Sequence, residues 1–483
     1  MTLHDDAAYL ALKTHDARFD GRLFVGVTST GIYCRPVCRV RTPLRRNCLF
    51  FANAASAERE GFRPCLRCRP ELAPGLSLVD SSQVLAQHAA RLIELAARSG
   101  DDPYLPDIAR RLGVTDRHLR RIFREKHGVT PIDYLATQRL LLAKQLLTDT
   151  DMPVTQVALA SGHASLRRFN AAFVQRYRMN PSALRRQAAP RPREVSGSLR
   201  LAYRPPYDVA GMMAFLAQRA IAGVEQVQAL ELRRTLGWMH QGRWLYGWLQ
   251  CRFVPQRHEV QLSLAPALLP AVGAVMQRLR HALDLDADPS LIDPALATLP
   301  RPAPPGLRLP GAIDGFEIAV RIILGQQVTV AAARTLAHRL VAELGQPIET
   351  PFAGLDRLFP NAADIAAADP DRIGRLGIVR QRVAALQALA REVTEGRIAL
   401  QPTAALTPTL DALRALPGIG EWTLQLIAMR VLAWPDAFAA TDVGVLNALD
   451  TRDVAAAQSR AEAWRPWRAY AVMGLWQSLE DKP

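Results

Sequence analysis

Cysteine is scarce in this chain and unevenly spread. Six occur in 483 residues, five of them between positions 34 and 68, and none follows Cys251. So sparse a set excludes a disulfide scaffold and points to thiols kept reduced in a cytoplasm. It also leaves no late cysteine cluster for an iron–sulfur centre. No apolar run reaches the roughly 18 residues of a membrane span, and the opening "MTLHDDAAYLALKTHD" is acidic and polar, unlike an export signal. Beyond residue 193 the one lysine is Lys482, so the second half has almost no amine to form a Schiff base. Tryptophan is missing from the first 237 residues; all eight stand at or after Trp238.

Acidic residues are short in one region only. Residues 1–75 carry 12 Lys+Arg against 7 Asp+Glu, and residues 76–193 carry 19 against 10. The rest carries 29 against 28, so nearly the whole net charge of +15 sits in the first two-fifths. That region is suited to a polyanion, with affinity falling as salt rises. Length alone predicts three or four domains. Three stretches dense in proline, glycine or serine suggest the joints: 69–82, 188–198 and 293–311. Between them, 83–187 has mostly helical periodicity, 199–292 mixes alternating runs ("WLQCRFV", "EVQLSLA") with helices, and 314 onward is helical.

The four clustered cysteines run Cys34-x3-Cys38-x26-Cys65-x2-Cys68. Each short spacing lets two thiolates reach one ion, and four sulfurs close a tetrahedral zinc site. Spacing alone favours a structural knuckle. Yet Arg35, Arg39, Arg41, Arg63, Arg67 and Arg69 flank the pairs, which a purely structural knuckle would not need. A zinc-bound thiol is deprotonated at neutral pH and is therefore nucleophilic. Cys48 and Cys251 have no ligand-type neighbours and read as small buried hydrophobes. "TGIYCRPVC" and "FANAASAEREGFRPCLRCRP" resemble, across 20–74, the N-terminal domain of the Ada alkylation-response proteins. The resemblance implies Cys34, Cys38, Cys65 and Cys68 as zinc ligands. It also implies Cys34 as irreversible acceptor of a methyl group from a DNA methylphosphotriester, losing one negative charge and so tightening DNA binding.

"LPDIARRLGVTDRHLRRIFREKHGVTP" (105–131) reads as helix, Gly113 turn, helix, with Thr115 as N-cap. The theme recurs at 154–181: Ala109 and Gly113 return as Ala158 and Gly162, and Leu119, Phe123 and Pro131 as Phe169, Phe173 and Pro181. Two helical hairpins could be plain bundle packing. Arginines on the second helices (Arg117, Arg120, Arg121, Arg124; Arg167, Arg168) favour DNA. The span 83–187 resembles the AraC-type DNA-binding domain.

In the neutral half, "LPGIGEWT" (416–423) reads as a helix-hairpin-helix loop. Gly418, Ile419 and Gly420 would turn free amides toward one DNA phosphate, a grip that needs no side-chain charge. Asp442, some twenty residues later, completes the signature of the helix-hairpin-helix glycosylases. The position after Glu421 is Trp422, not lysine, so a single-function glycosylase is expected, with Asp442 as the carboxylate beside the sugar. Core packing is the expectation for Trp238, Trp244 and Trp248. Residues 199–481 resemble the AlkA type of 3-methyladenine DNA glycosylase, through "LPGAIDGFEIAVRIILGQQVTVAAA" and "AEAWRPWRAYAVMGLW". The resemblance implies Trp422, Trp476 and Phe215 around the flipped base and Gln327 as the wedge that replaces it. It also implies a monovalent cation held by the carbonyls of Arg414, Leu416 and Gly418. Leu426 and Val443 stand where some members have tyrosines, and no second methyltransferase motif follows.

The expected architecture is multidomain and mainly α. A small β-rich zinc domain (1–75) precedes an AraC-type double helix-turn-helix (83–187). An α+β domain like the AlkA N-terminus (196–300) and an all-α helix-hairpin-helix domain (301–483) follow. The expected function is excision of alkylated bases, methyl acceptance from phosphotriesters and sequence-specific DNA binding in the alkylation response. A regulator whose glycosylase half merely grips DNA is the alternative, and a repair enzyme tethered by its basic domains is another. Expected partners are alkylated and operator duplex DNA and RNA polymerase, for a monomer at the nucleoid with no membrane contact.

Overall fold

A computed structural model describes residues 5–16, 19–20, 23–51, 54–68, 70, 81–99, 105–187 and 198–480. Arg69, Lys482 and most of the stretches 69–82 and 188–198 lie outside the described residues. Packing divides the chain into two compact units. One comprises 1–97, 102–138 and 455–468; the other comprises 98–101, 139–454 and 469–483. No helix among the described residues is long and apolar enough to cross a membrane.

In the first unit, strands β1 (Phe24–Val27), β2 (Ile32–Cys34), β3 (Cys48–Phe51) and β4 (Arg63–Pro64) form a sheet of order β3-β1-β2-β4. β2 pairs in parallel with β4, Tyr33 opposite Pro64, and the Cys65 amide donates to the Tyr33 carbonyl at 3.0 Å. Strand pairing thus brings together cysteines 31 positions apart in sequence, Cys34 ending one strand and Cys65 following the other. Phe24, Tyr33, Ala57 and Phe62 fill a small core beneath the sheet.

The first helix-turn-helix lies in the same unit: helices Leu105–Arg111 and Asp116–His127 meet at Gly113, whose φ of +70° is glycine territory. Thr115 Oγ1 accepts from the His118 amide at 3.3 Å, the N-cap read from sequence. Helix Pro131–Asp149 follows and runs into the second unit. There Val154–Ala160 and Leu166–Tyr177 repeat the motif around Gly162 (φ +76°), capped by Ser165. The inward repeat positions are closed to solvent: Ala109, Leu119 and Phe123 in one hairpin, Ala158, Phe169 and Phe173 in the other.

A second sheet holds β5 (Leu199–Ala202), β6 (Glu225–Gln228), β7 (Glu231–His240), β8 (Arg243–Val254) and β9 (Glu259–Leu264), antiparallel throughout in the order β5-β9-β8-β7-β6. Helices Val209–Arg219 and Val272–Ala282 belong to the same region. From Gly315 onward the structure is helical, with Leu406–Arg414 and Glu421–Arg430 forming the hairpin. Two of the three tryptophans expected in the core are partly covered: Trp248 meets Phe352 edge-on, and Trp238 packs on the sheet core. Trp244 departs from the expectation. It is 42 % exposed and lies parallel to Tyr246, and it pairs with exposed Met239 next to the turn of the β7–β8 hairpin.

Candidate functional site

Two separate constellations emerge. In the first, the Sγ atoms of Cys34, Cys38, Cys65 and Cys68 all lie within 4.8 Å of one another, and all four residues are buried. Two backbone amides point at sulfurs: Arg35 N toward Cys68 Sγ (3.3 Å) and Cys68 N toward Cys65 Sγ (3.5 Å). Four thiols this close cannot all ionise unaided. Hydrogen bonding with Cys38 pushes Cys34 up, hydrogen bonding with Cys34 pushes Cys68 up, and Cys38, favoured by Cys34, is drawn down to about 3. The donor set therefore calls for a cation that holds several thiolates at once, which suits zinc.

Of the arginines flanking the cysteines, one has another task. Arg35 is fully buried, its guanidinium paired with buried Asp20 (Nε to Oδ1, 2.7 Å) and donating to the Cys68 carbonyl at 3.4 Å. It buttresses the thiol loop and is not available to a phosphate. A buried charge is tolerated only when paired in this way. Arg39, Arg41, Arg63 and Arg67 remain exposed on the described surface. Cys48 and Cys251 are buried away from the cluster, as read from sequence.

The second constellation surrounds a cavity of about 430 Å³, lined among others by Phe215, Trp422, Leu426, Asp442, Val443 and Trp476. Asp442 is the N-cap of helix Val443–Ala448 and accepts the Val445 amide at 2.9 Å. Its other bonds come from two indoles: Trp422 Nε1–H donates to Oδ2 (2.8 Å) and Trp476 Nε1–H to Oδ1 (2.9 Å). Three neutral donors orient the carboxylate without cancelling its charge. Phe215 and Trp476 present nearly parallel planes, 12° apart with centroids 6.5 Å apart. Leu426 is buried against the cavity and Val443 is 70 % exposed.

Sequence reading missed several residues here. The Arg219 guanidinium lies over the Phe215 ring at 3.7 Å and Arg430 at 5.0 Å. Burial, with Arg219 and Arg321 alongside, brings Arg430 down to about 9, so it is still charged at neutral pH. Arg219 stands four residues after Phe215 on one helix, a spacing that could have revealed it. Gly444 is a second omission. A Cβ there would lie 3.0 Å from both Asp442 Oδ1 and a Trp476 ring carbon, so a side chain would press on the carboxylate and its partner.

In the hairpin, Gly418 has φ +73° and requires glycine, Ile419 is buried, and Gly420 has an ordinary φ of −91° as N-cap of Glu421–Arg430. Only the first glycine is thus demanded by the turn. Nothing stands within 4 Å of a Cβ placed on Gly420, which leaves open space before the helix. The Gln326 side chain donates to the Gly418 carbonyl (2.8 Å) and to Thr423 Oγ1 (3.0 Å). Leu416 O accepts the Ile419 amide at 3.4 Å. Each carbonyl keeps a second lone pair, compatible with a cation. Gln327, next to Gln326, is exposed with φ +54°. On the helix-turn-helix surfaces, Arg120 pairs with Asp116 and Arg121 with Glu125, both at 2.7 Å. Arg117, Arg167 and Arg168 are exposed and form no ion pair among the described residues.

Four family models match in succession. They are the metal binding domain of Ada (7–71), a helix-turn-helix domain (108–187), the AlkA N-terminal domain (198–314) and the HhH-GPD superfamily of base excision DNA repair proteins (320–468). With the first of these matched, the four cysteines are the ligand set of one zinc ion. DNA-3-methyladenine glycosylase 2 of Escherichia coli is 33% identical over 59% of this chain and 98% of its own length. The bifunctional transcriptional activator/DNA repair enzyme Ada of Escherichia coli is 33% identical over 32% of this chain and 42% of its own. The probable bifunctional transcriptional activator/DNA repair enzyme AlkA of Mycobacterium tuberculosis is 37% identical over 99% of this chain and 97% of its own. Likeness of that extent, running through zinc cluster, helix-turn-helix and hairpin alike, means that the chain belongs to the family of AlkA-type bifunctional transcriptional activator/DNA repair enzymes.

Proposed function

We propose that the chain excises alkylated bases of the 3-methyladenine type by hydrolysis and carries an alkylation sensor that regulates transcription. The observation that carries the first part is Asp442, held by two indoles and one amide at the wall of an aromatic cavity. A methylated purine is cationic and leaves readily. As the glycosidic bond breaks, its electron pair departs with the base and positive charge develops on the sugar. An ionised Asp442 facing that sugar stabilises the oxocarbenium-like state and orients the attacking water. Trp422, Trp476 and Phe215 hold the extruded base by stacking. Exposed Gln327 fills the gap in the duplex, and the amides at Gly418, Ile419 and Gly420 grip a phosphate. Base release from methylated DNA by wild type and Asp442→Asn tests the reading; excision at the wild-type rate by the variant refutes it.

Cys34, Cys38, Cys65 and Cys68 would hold the zinc ion, which when bound would keep their thiols deprotonated at neutral pH. Cys34 Sγ attacks a phosphotriester methyl carbon; an S–C bond forms, the C–O bond breaks, and a phosphodiester anion leaves. Mass spectrometry after incubation with methylated DNA should find one added methyl on the Cys34 peptide, and a methyl elsewhere or nowhere would refute the assignment. The arginines of both recognition helices, Arg117, Arg120, Arg121, Arg167 and Arg168, contact the operator. On this reading the chain acts as a monomer in the cytoplasm, at the nucleoid. Its partners are duplex DNA and RNA polymerase. On this reading the functional segments run 1–75, 83–187, 196–300 and 301–483, bounds that differ from those of the two compact packing units.

A further inference from the structure

The two helix-turn-helix motifs repeat each other in sequence, yet they belong to different bodies. Residues up to 138 pack with the first unit and residues from 139 with the second. Within the second unit, the repeat does not sit beside the β5–β9 sheet as a separate bead. Leu146, Val157 and Phe169 belong to one contiguous set of buried side chains with Leu201, Leu262, Leu268 and Val272, all at or near zero exposure. Helix Val154–Ala160 packs on the 3-10 turn Pro266–Ala271. Polar ties cross the same face: Gln145 Nε2 donates to the Arg200 carbonyl (3.0 Å), and Arg200 pairs with Asp149 (3.1 Å).

Shared apolar burial of this kind marks a fold interior, not a transient contact between domains, which is more polar. The opposite face of the motif stays open. Arg167 and Arg168, in the first turn of helix Leu166–Tyr177, are exposed and unpaired among the described residues.

We propose that the second helix-turn-helix is an integral part of the glycosylase body and serves it as a second DNA grip. Exposed arginines fixed to the same rigid body as the catalytic pocket raise the effective concentration of DNA there without touching the lesion. The gripping role rests on the glycosylase reading; the shared core does not, so the two can fail separately.

Two experiments on the full chain test this. A protease site is placed between residues 188 and 197 and cut after folding. The two fragments should co-elute on size exclusion in physiological salt, whereas a second protein also carrying Arg200→Glu and Leu269→Glu should separate when cut, Leu269 of the 3-10 turn being packed against the shared buried set. Separation of the first pair, or co-elution of the second, overturns the shared core. For the grip, Arg167→Gln with Arg168→Gln is assayed for base release. On a lesion duplex of about 40 base pairs, some four helical turns, kcat/KM should drop several-fold through KM. On about 12 base pairs, little more than one turn, the drop should shrink. The slope of log(kcat/KM) against log salt on the long duplex should become shallower by about two, one for each arginine withdrawn from a phosphate. Equal losses on both duplexes, or an unchanged slope, overturn the grip.

Discussion

The zinc cluster and the Asp442 pocket handle charge in opposite ways. The cluster collects four sulfurs from 35 residues of chain, and only a cation lets them ionise together. The pocket draws Phe215, Trp422, Asp442 and Trp476 from positions up to 261 apart and keeps a single anion, steadied by neutral N–H donors. The first is a closed device in which each ligand is indispensable. The second is a graded one in which each donor contributes a share. The contrast predicts how each should fail.

The largest effect belongs to the cluster. Cys65→Ser should abolish zinc binding and unfold residues 1–75, because structural zinc contributes on the order of 10 kcal/mol to folding. Metal analysis and limited proteolysis would check this; a folded zinc region without metal would break the comparison. Asp442→Asn comes next, lowering base release roughly a hundredfold or more, several kcal/mol of transition-state stabilisation. DNA affinity should survive, since the hairpin amides do not depend on that carboxylate. The product should be an abasic site with an intact strand until alkali is added.

Acid sharpens the contrast from another side. His281, in the pocket's half of the molecule, is held down to about 4 by burial and by Arg278. Above its ordinary value of 6.5 the imidazole is neutral folded or unfolded and pH has no effect through it. As pH falls from 6.5 toward 4, the unfolded chain takes up a proton that the folded chain refuses, and stability drops. The loss is complete below about 4 and amounts to at most about 3 kcal/mol. Urea midpoints across this range should flatten in His281→Gln. The smallest effect is the most diagnostic. Trp476→Phe keeps an aromatic ring but removes one donor to Asp442, and should slow excision about tenfold, the worth of one charge-assisted hydrogen bond. Loss as deep as that of Asp442→Asn would mean that the pocket is as brittle as the zinc site.

How much of each site could be read beforehand follows from the same contrast. The cysteines declare themselves through short spacings, and strand pairing of Tyr33 with Pro64 only had to join the two pairs. The hairpin glycine at 418 and the cap Thr115 are local backbone requirements, so sequence carries them. Arg35 misled, since a basic residue beside a thiol looks like a phosphate contact until Asp20 is found against it. The exposure of Trp244 was equally unreadable, because burial depends on which part of a hairpin other layers cover.

By itself the sequence determined what is periodic or local: helices and strands, the zinc ligand set, both helix-turn-helix repeats, the hairpin loop and its aspartate. Tertiary structure alone decided what depends on distant chain meeting in space. It turned two indoles onto Asp442, laid Arg219 and Arg430 over Phe215, and set Gly444 close against Asp442 and Trp476. It also merged the second helix-turn-helix with the sheet that follows it. Periodicity tells a helix which face to bury but not against what; that choice is made by whichever apolar face the rest of the chain presents.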